Sequence, residues 1–139
     1  MILLVEDSNY LKDFAANLSW YGFDVGCADN VTDAIYHIEY EPGYLAYEGI
    51  ILDLHLPIKG FSGEALEEAK RVFGGWAFYK HILGPYSDLQ ERTVFLTGFG
   101  DELEDILGHT EYKRLNIINK NDTDQLKKIV KLLRRFSFH

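Results

Sequence analysis

Three carboxylates, a hydroxyl and an amine each stand just beyond a short apolar run. Glu6 and Asp7 follow Ile2-Leu3-Leu4-Val5, Asp53 follows Gly49-Ile50-Ile51-Leu52, Thr97 follows Thr93-Val94-Phe95-Leu96, and Lys120 closely follows Asn116-Ile117-Ile118. Gathered in one place, the carboxylates would repel one another, and one would be driven to protonate unless a cation neutralised them. Their hard oxygens suit Mg²⁺, with Mn²⁺ as the alternative, and waters would complete the shell. A lysine and a hydroxyl beside them make a set that fits a phosphoryl group. The metal and the amine neutralise its oxygens, the hydroxyl donates to another, and a carboxylate serves as nucleophile. Any one of these residues alone reads as a solvated loop residue; all of them in register with strand ends do not.

The runs that position them have the character of strands. Ile2–Val5, Gly49–Leu52 and Thr93–Leu96 are short, continuously apolar and rich in branched side chains, as strands buried on both faces should be. Phe23–Ala28 and Asn116–Ile118 supply two more. Between them lie helical patterns. Leu11, Phe14 and Leu18 are spaced for one helix, with Gly22 as its stop. Ala34, Ile35 and Ile38 follow a candidate Asn30 cap and end at Glu41-Pro42-Gly43. Leu103, Ile106 and Leu107 form a short helix closed by Gly108, and Leu126, Ile129, Val130 and Leu133 form the last, with Asp122 as candidate cap. Strand alternating with helix implies an α/β fold, a parallel sheet with helices on both faces. In such a sheet ligands bind beyond the carboxyl ends of the strands, where the ionic residues fall. The stretch from Glu64 to Gln90 is the least regular: a helix that meets Gly74-Gly75 and then Gly84-Pro85.

A chain of 139 residues is sized for one domain, and no composition break or repeat divides it, so residues 1–139 are expected to be a single domain without an appended output module. One cysteine, Cys27, excludes an intrachain disulfide framework and leaves zinc without its usual thiolates; its simplest place is a buried strand position. No apolar run reaches the roughly 20 residues of a membrane helix, and Met1 leads into Ile2-Leu3 with no basic region of the signal-peptide kind, so no membrane partner and a cytoplasmic location are expected. The net charge of −8 argues against nonspecific nucleic-acid binding. Residues 111–139 carry a local +5, read as the solvated face of the last helix.

Ile2-Leu3-Leu4-Val5-Glu6-Asp7-Ser8, Ile51-Leu52-Asp53-Leu54-His55-Leu56-Pro57, Phe95-Leu96-Thr97-Gly98 and Ile118-Asn119-Lys120, in this order, resemble the receiver domain of two-component response regulators over essentially the whole chain. The resemblance implies a flavodoxin-like, doubly wound, five-stranded parallel sheet of order 2-1-3-4-5. It implies that Asp53 is the phosphoacceptor, that Asp7 is a direct metal ligand, that Glu6 holds a metal-bound water, and that the backbone carbonyl of His55 completes the protein ligands. Thr97 resembles the switch hydroxyl, Lys120 the lysine that pairs with phosphoryl oxygens, and Gly98 the small residue that leaves access for a phosphodonor. The implied partner is a sensor histidine kinase or a histidine phosphotransfer protein. A downstream protein target is also implied, and the chain would act on itself rather than as a turnover enzyme.

Several positions depart from that pattern. Asn121 stands where proline usually follows the lysine; the family's cis bond would cost about 2.5–4 kcal/mol there, so the bond is either trans or imposed by the fold. Ile117 replaces the usual switch aromatic. The loop after Pro57 carries both Gly60 and Gly63, and the segment between Asp53 and Thr97 is long, with Phe73-Gly74-Gly75-Trp76-Ala77-Phe78-Tyr79 at its centre. That aromatic cluster is read as additional core, its second reading being a partner or homodimer surface. His55 either tunes water access to the phosphoryl group or is only a rim residue. A flavodoxin is disfavoured because Glu6-Asp7 would repel phosphate. A haloacid-dehalogenase-type phosphatase would need an acid where His55 stands, and no GxxxxGK[ST] is present for a P-loop nucleotidase. The remaining rival is a receiver-like interaction module that signals without phosphorylation.

Overall fold

The computed structural model describes residues 1–8, 10–98 and 100–137. Five strands, β1 (Ile2–Val5), β2 (Val25–Ala28), β3 (Gly49–Asp53), β4 (Thr93–Thr97) and β5 (Asn116–Asn119), pair in parallel in the order β2-β1-β3-β4-β5. This is the sheet order that the resemblance implied. Side chains alternate across the pleat, so each continuous apolar run feeds two cores. Ile2, Leu4, Ile51, Val94, Leu96 and Ile118 pack on one face with Phe14 and Leu18 of α1 (Tyr10–Trp20) and with Ile129, Val130, Leu133 and Phe136 of α8 (Gln125–Ser137). Leu3, Val5, Ile50, Leu52 and Phe95 face the other way. They meet α2 (Val31–Glu39), α3 (Gly63–Arg71), α4 (Gly74–Ala77), a π-helical turn (Phe78–Ile82), α5 (Ser87–Glu91) and α6 (Gly100–Leu107). A last short helix, α7 (His109–Tyr112), leads into β5.

Local sequence accounts for several element ends. Asn30 caps α2, its Oδ1 accepting the Asp33 N–H at 2.8 Å. Gly108, at φ +85°, ends α6 in the left-handed region that a β-carbon disfavours. The exposed Lys127, Lys128, Lys131, Arg134 and Arg135 of α8 are the solvated basic face read from charge pattern.

Three expectations need correction. The second strand begins at Val25 rather than Phe23, because the Phe23 N–H still bonds the Leu18 carbonyl at the end of α1, 3.3 Å away. Cys27 is exposed, not buried, since β2 is an edge strand and lacks full cover. Asp122 does not cap α8 directly. Its Oδ1 accepts the Asp124 N–H at 2.8 Å, closing the turn that precedes the helix.

The long β3–β4 connection is core. Trp76, Ala77, Phe78, Leu83 and Leu89 are buried, and the Tyr79 ring lies 5.2 Å from that of Phe95. The aromatic cluster thus follows the first of its two readings. The connection also carries a buried charge: Glu68 of α3 is 5% exposed and is held by Arg71 and by Lys80, whose Nζ lies 3.4 Å away. Burial raises the Glu68 carboxyl's pKa, but the hydrogen bonds and charges of Arg71 and Lys80 outweigh it and leave it below the usual glutamate value. A carboxylate depressed on folding contributes stability above its unfolded pKa and loses it as pH falls toward the folded one. Glu68→Gln is therefore expected to lower the melting temperature at neutral pH and to make the acid loss of stability shallower, as followed by thermal melts between pH 7 and pH 3. An unchanged acid limb would show that Glu68 is not part of it.

Candidate functional site

The sheet register brings the sequence-singled residues to one rim. Val5 pairs with both Ala28 and Leu52, so Glu6, next along β1, stands beside Asp53 at the end of β3. Glu6 is 1% exposed and Asp53 2%, whereas Asp7 faces solvent. One oxygen from each of the three lies within 4.8 Å of the others. Lys120 reaches in from beyond β5: its Nζ is 3.1 Å from Asp53 Oδ1 and 3.2 Å from Glu6 Oε2. The backbone of Lys120 is fixed at the other end, its N–H donating to the Thr97 carbonyl at 2.9 Å. The only cis peptide bond among the described residues is Glu41–Pro42, so Lys120–Asn121 is trans and Asn121 imposes no isomer cost.

Asp53 Oδ1 has a second donor, the His55 backbone N–H at 3.0 Å. The His55 ring points elsewhere, edge-on to Phe73 with centroids 4.8 Å apart. Thr97, fully buried, ends β4 one residue beyond Leu96, which pairs with Asp53. It lines a cavity of about 380 Å³ with Gly98, Gly100, Tyr112, Ile117 and Asn119. Tyr112 was not singled out in the sequence. A β-carbon on Gly100 would come within 2.8 Å of its hydroxyl, so a ring from α7 borders the space beside Ile117, where β5 supplies none.

The electrostatics of this rim are unbalanced, with one ammonium set against three carboxylates. Burial raises the Glu6 pKa most, the Asp53 charge adds to the rise, and Lys120 offsets part of it. Burial acts to lower the Lys120 pKa, yet the two acids more than reverse this and hold it above the usual lysine value. Neither buried oxygen of Glu6 accepts a well-directed hydrogen bond, despite the nearby lysine. Lys120 offsets only part of the cost of burying Glu6 beside Asp53, so a further cation or ordered water at the acids would lower it. The site therefore fits a divalent cation on physical grounds. Glu6, Asp7 and Asp53 are the side chains placed to hold it, directly or through water, and their oxygens are of the type Mg²⁺ takes.

No protein-family model matches the chain, and neither does any curated protein sequence. Solved structures do. The receiver domain of NtrX from Brucella abortus matches with a TM-score of 0.67 at 20% identity, over 98% of this chain and 97% of that one. The non-phosphorylated HemR receiver domain from Leptospira biflexa matches at 0.66 and 24% identity, over 97% and 91% of the two chains. The Vibrio cholerae chemotaxis protein CheY4 matches at 0.63 and 18% identity, over 97% and 96%. The structural neighbours are response-regulator receiver domains, and this chain has their CheY-like, flavodoxin-type fold. Among the described residues, no helix is long and apolar enough to cross a membrane.

Proposed function

We propose that the chain is a phosphoacceptor receiver of a two-component phosphorelay, taking a phosphoryl group onto Asp53 from a phosphohistidine in a Mg²⁺-dependent reaction. The observation that carries this reading is the placement of Asp53, a buried carboxylate between a lysine and two further acids at the carboxyl rim of a receiver-type sheet. Lys120 and the His55 N–H both engage Oδ1, which orients the carboxylate and assigns the attack to Oδ2. The Oδ2–P bond forms as the P–N bond to the donor histidine breaks, and the electron pair of that bond leaves with the imidazole. Lys120 then pairs with the incoming phosphoryl oxygens, and the Thr97 hydroxyl donates to another. A bound Mg²⁺ supplies charge neutralisation for the same oxygens. Water later attacks phosphorus, the Oδ2–P bond breaks, and inorganic phosphate leaves as the Asp53 carboxylate is restored for another round; the phosphohistidine donor of this reading is a kinase or a phosphotransfer protein.

The new dianion would draw Thr97 toward it and shift Gly98 and the start of α6 at Gly100. Tyr112, which lines the same cavity, is the ring placed to follow. The test is phosphorylation by phosphoramidate, a small donor with the same P–N bond. With Mg²⁺ the chain should gain one phosphoryl group, and amide shifts should concentrate on residues 97–98, 100–108 and Tyr112. With EDTA in place of Mg²⁺ the gain should vanish. A chain that stays unmodified with Mg²⁺ present is an interaction module and not a phosphoacceptor.

A further inference from the structure

The long β3–β4 connection does more than fill core: it returns to touch the end of β3 at Asp53 and the loop that follows it. Gly75 donates its N–H to the Leu54 carbonyl at 2.9 Å. The contact is backbone on backbone. A β-carbon on Gly75 would lie 2.3 Å from the Asp53 carbonyl oxygen and 2.6 Å from the Leu54 α-carbon. One on Gly74 would lie 2.0 Å from the Leu56 carbonyl oxygen. Phe73 adds the edge-on contact with the His55 ring. Three consecutive residues, Phe73, Gly74 and Gly75, thus bear on the consecutive residues Asp53 to Leu56. Trp76 follows at once, 5% exposed and wedged beside Tyr79, with ring centroids 5.3 Å apart.

We propose that Phe73-Gly74-Gly75 is a positioning clamp that sets the backbone of the Asp53–Leu56 loop, and through it the orientation of the Asp53 carboxylate and the geometry of cation binding. The link is the His55 N–H. That donor fixes Asp53 Oδ1, and its position depends on the peptide planes of Leu54 and His55. Leu54 is held on one side by its own N–H to the Leu96 carbonyl, 3.0 Å away, and on the other by the Gly75 bond to its carbonyl. Only glycine allows two backbones to approach this closely, so the pair at 74 and 75 answers a need for contact that any side chain would block. Small displacements at such a site matter, because a shift of about 1 Å can cost about 100-fold in rate. None of the three residues touches the reacting atoms; they act through Leu54 and His55.

The proposal rests on the site assigned above, and its test separates the two. Gly75→Ala inserts the obstructing carbon. Gly84→Ala is the control, because its β-carbon would lie 2.6 Å from the Lys80 carbonyl oxygen, also closer than a β-carbon allows, in the same connection but away from the loop. Each folded variant is measured at low temperature for the His55 amide signal and its hydrogen exchange, for Mg²⁺ affinity by titration, and for the rate of reaction with phosphoramidate. Gly75→Ala should shift the His55 amide, speed its exchange, and weaken Mg²⁺ binding about tenfold or more, in the range typical of groups that orient ligands. Gly84→Ala should lower the melting temperature and leave all three site measurements as in the wild type. Should Gly75→Ala not fold, Phe73→Leu removes the His55 contact without obstruction and should move the same signals by a smaller amount. A folded Gly75→Ala with wild-type His55 amide and Mg²⁺ affinity would overturn the clamp, and so would a Gly84→Ala that disturbs the site equally. If Gly75→Ala does not fold, a Phe73→Leu with unmoved signals overturns it as well. Failure of the wild type to accept phosphate would count against the proposed function alone, since the amide and Mg²⁺ readings still decide the clamp.

Discussion

Asp7→Asn is expected to abolish phosphorylation while leaving the fold intact. Asp7 is the exposed member of the acid cluster, so its replacement by an amide of equal size removes charge without opening a cavity. In the absence of metal the variant should melt no lower than the wild type, because three mutually repelling carboxylates become two beside the same lysine. In the presence of metal the order should reverse. Mg²⁺ keeps several waters and is held by few protein carboxylates, so the loss of one charged oxygen should weaken binding by more than about 100-fold, beyond what loss of an orienting group costs. The phosphorylation rate at fixed Mg²⁺ should fall in step. Calorimetric titration and melts with and without Mg²⁺ check both halves of this expectation. A variant that binds Mg²⁺ as tightly as the wild type would remove Asp7 from the metal set.

The site is unusually legible in the sequence because the fold is a parallel sheet. Strands buried on both faces show as unbroken apolar runs, and the residue after each run must stand at the rim where ligands bind. Ile2–Val5 therefore points to Glu6 and Asp7, and Gly49–Leu52 to Asp53, with no need of side-chain detail. Asn30 and Gly108 were legible for a more local reason, since caps depend on a few neighbouring backbone groups. What the sequence concealed depends on distant contacts. Cys27 has the profile of a buried residue, and only the place of β2 at the sheet edge exposes it. Tyr112 lies fifteen residues beyond Thr97 in the chain yet lines the same cavity, a proximity that the turn from α6 through α7 creates. The glycines at 74 and 75 looked like breaks in a helix. The break falls just before them, at Val72 and Phe73, and the two glycines open α4 instead; their spacing carries no sign that they press on the loop after Asp53. Hydrophobic periodicity reports which face of an element is buried, not which backbone it will meet.

The same placement decides what should happen when Asp53 itself is changed. Asparagine has nearly the size of aspartate, the His55 N–H can still bond its side-chain oxygen, and Lys120 keeps Glu6 as a partner at 3.2 Å, so Asp53→Asn should fold normally. It lacks the anionic oxygen that attacks phosphorus, and the neighbouring acids do not replace it: Glu6 is buried beside it without an orienting hydrogen bond. The most direct measurement is therefore the intact mass of wild-type and Asp53→Asn protein after incubation with phosphoramidate and Mg²⁺. The wild type should gain the mass of one phosphoryl group, lose it again in mild base as an acyl phosphate does, and the variant should gain nothing. A variant that acquires the same increment, on Ser62 or any other residue, would contradict the assignment of Asp53 as the acceptor.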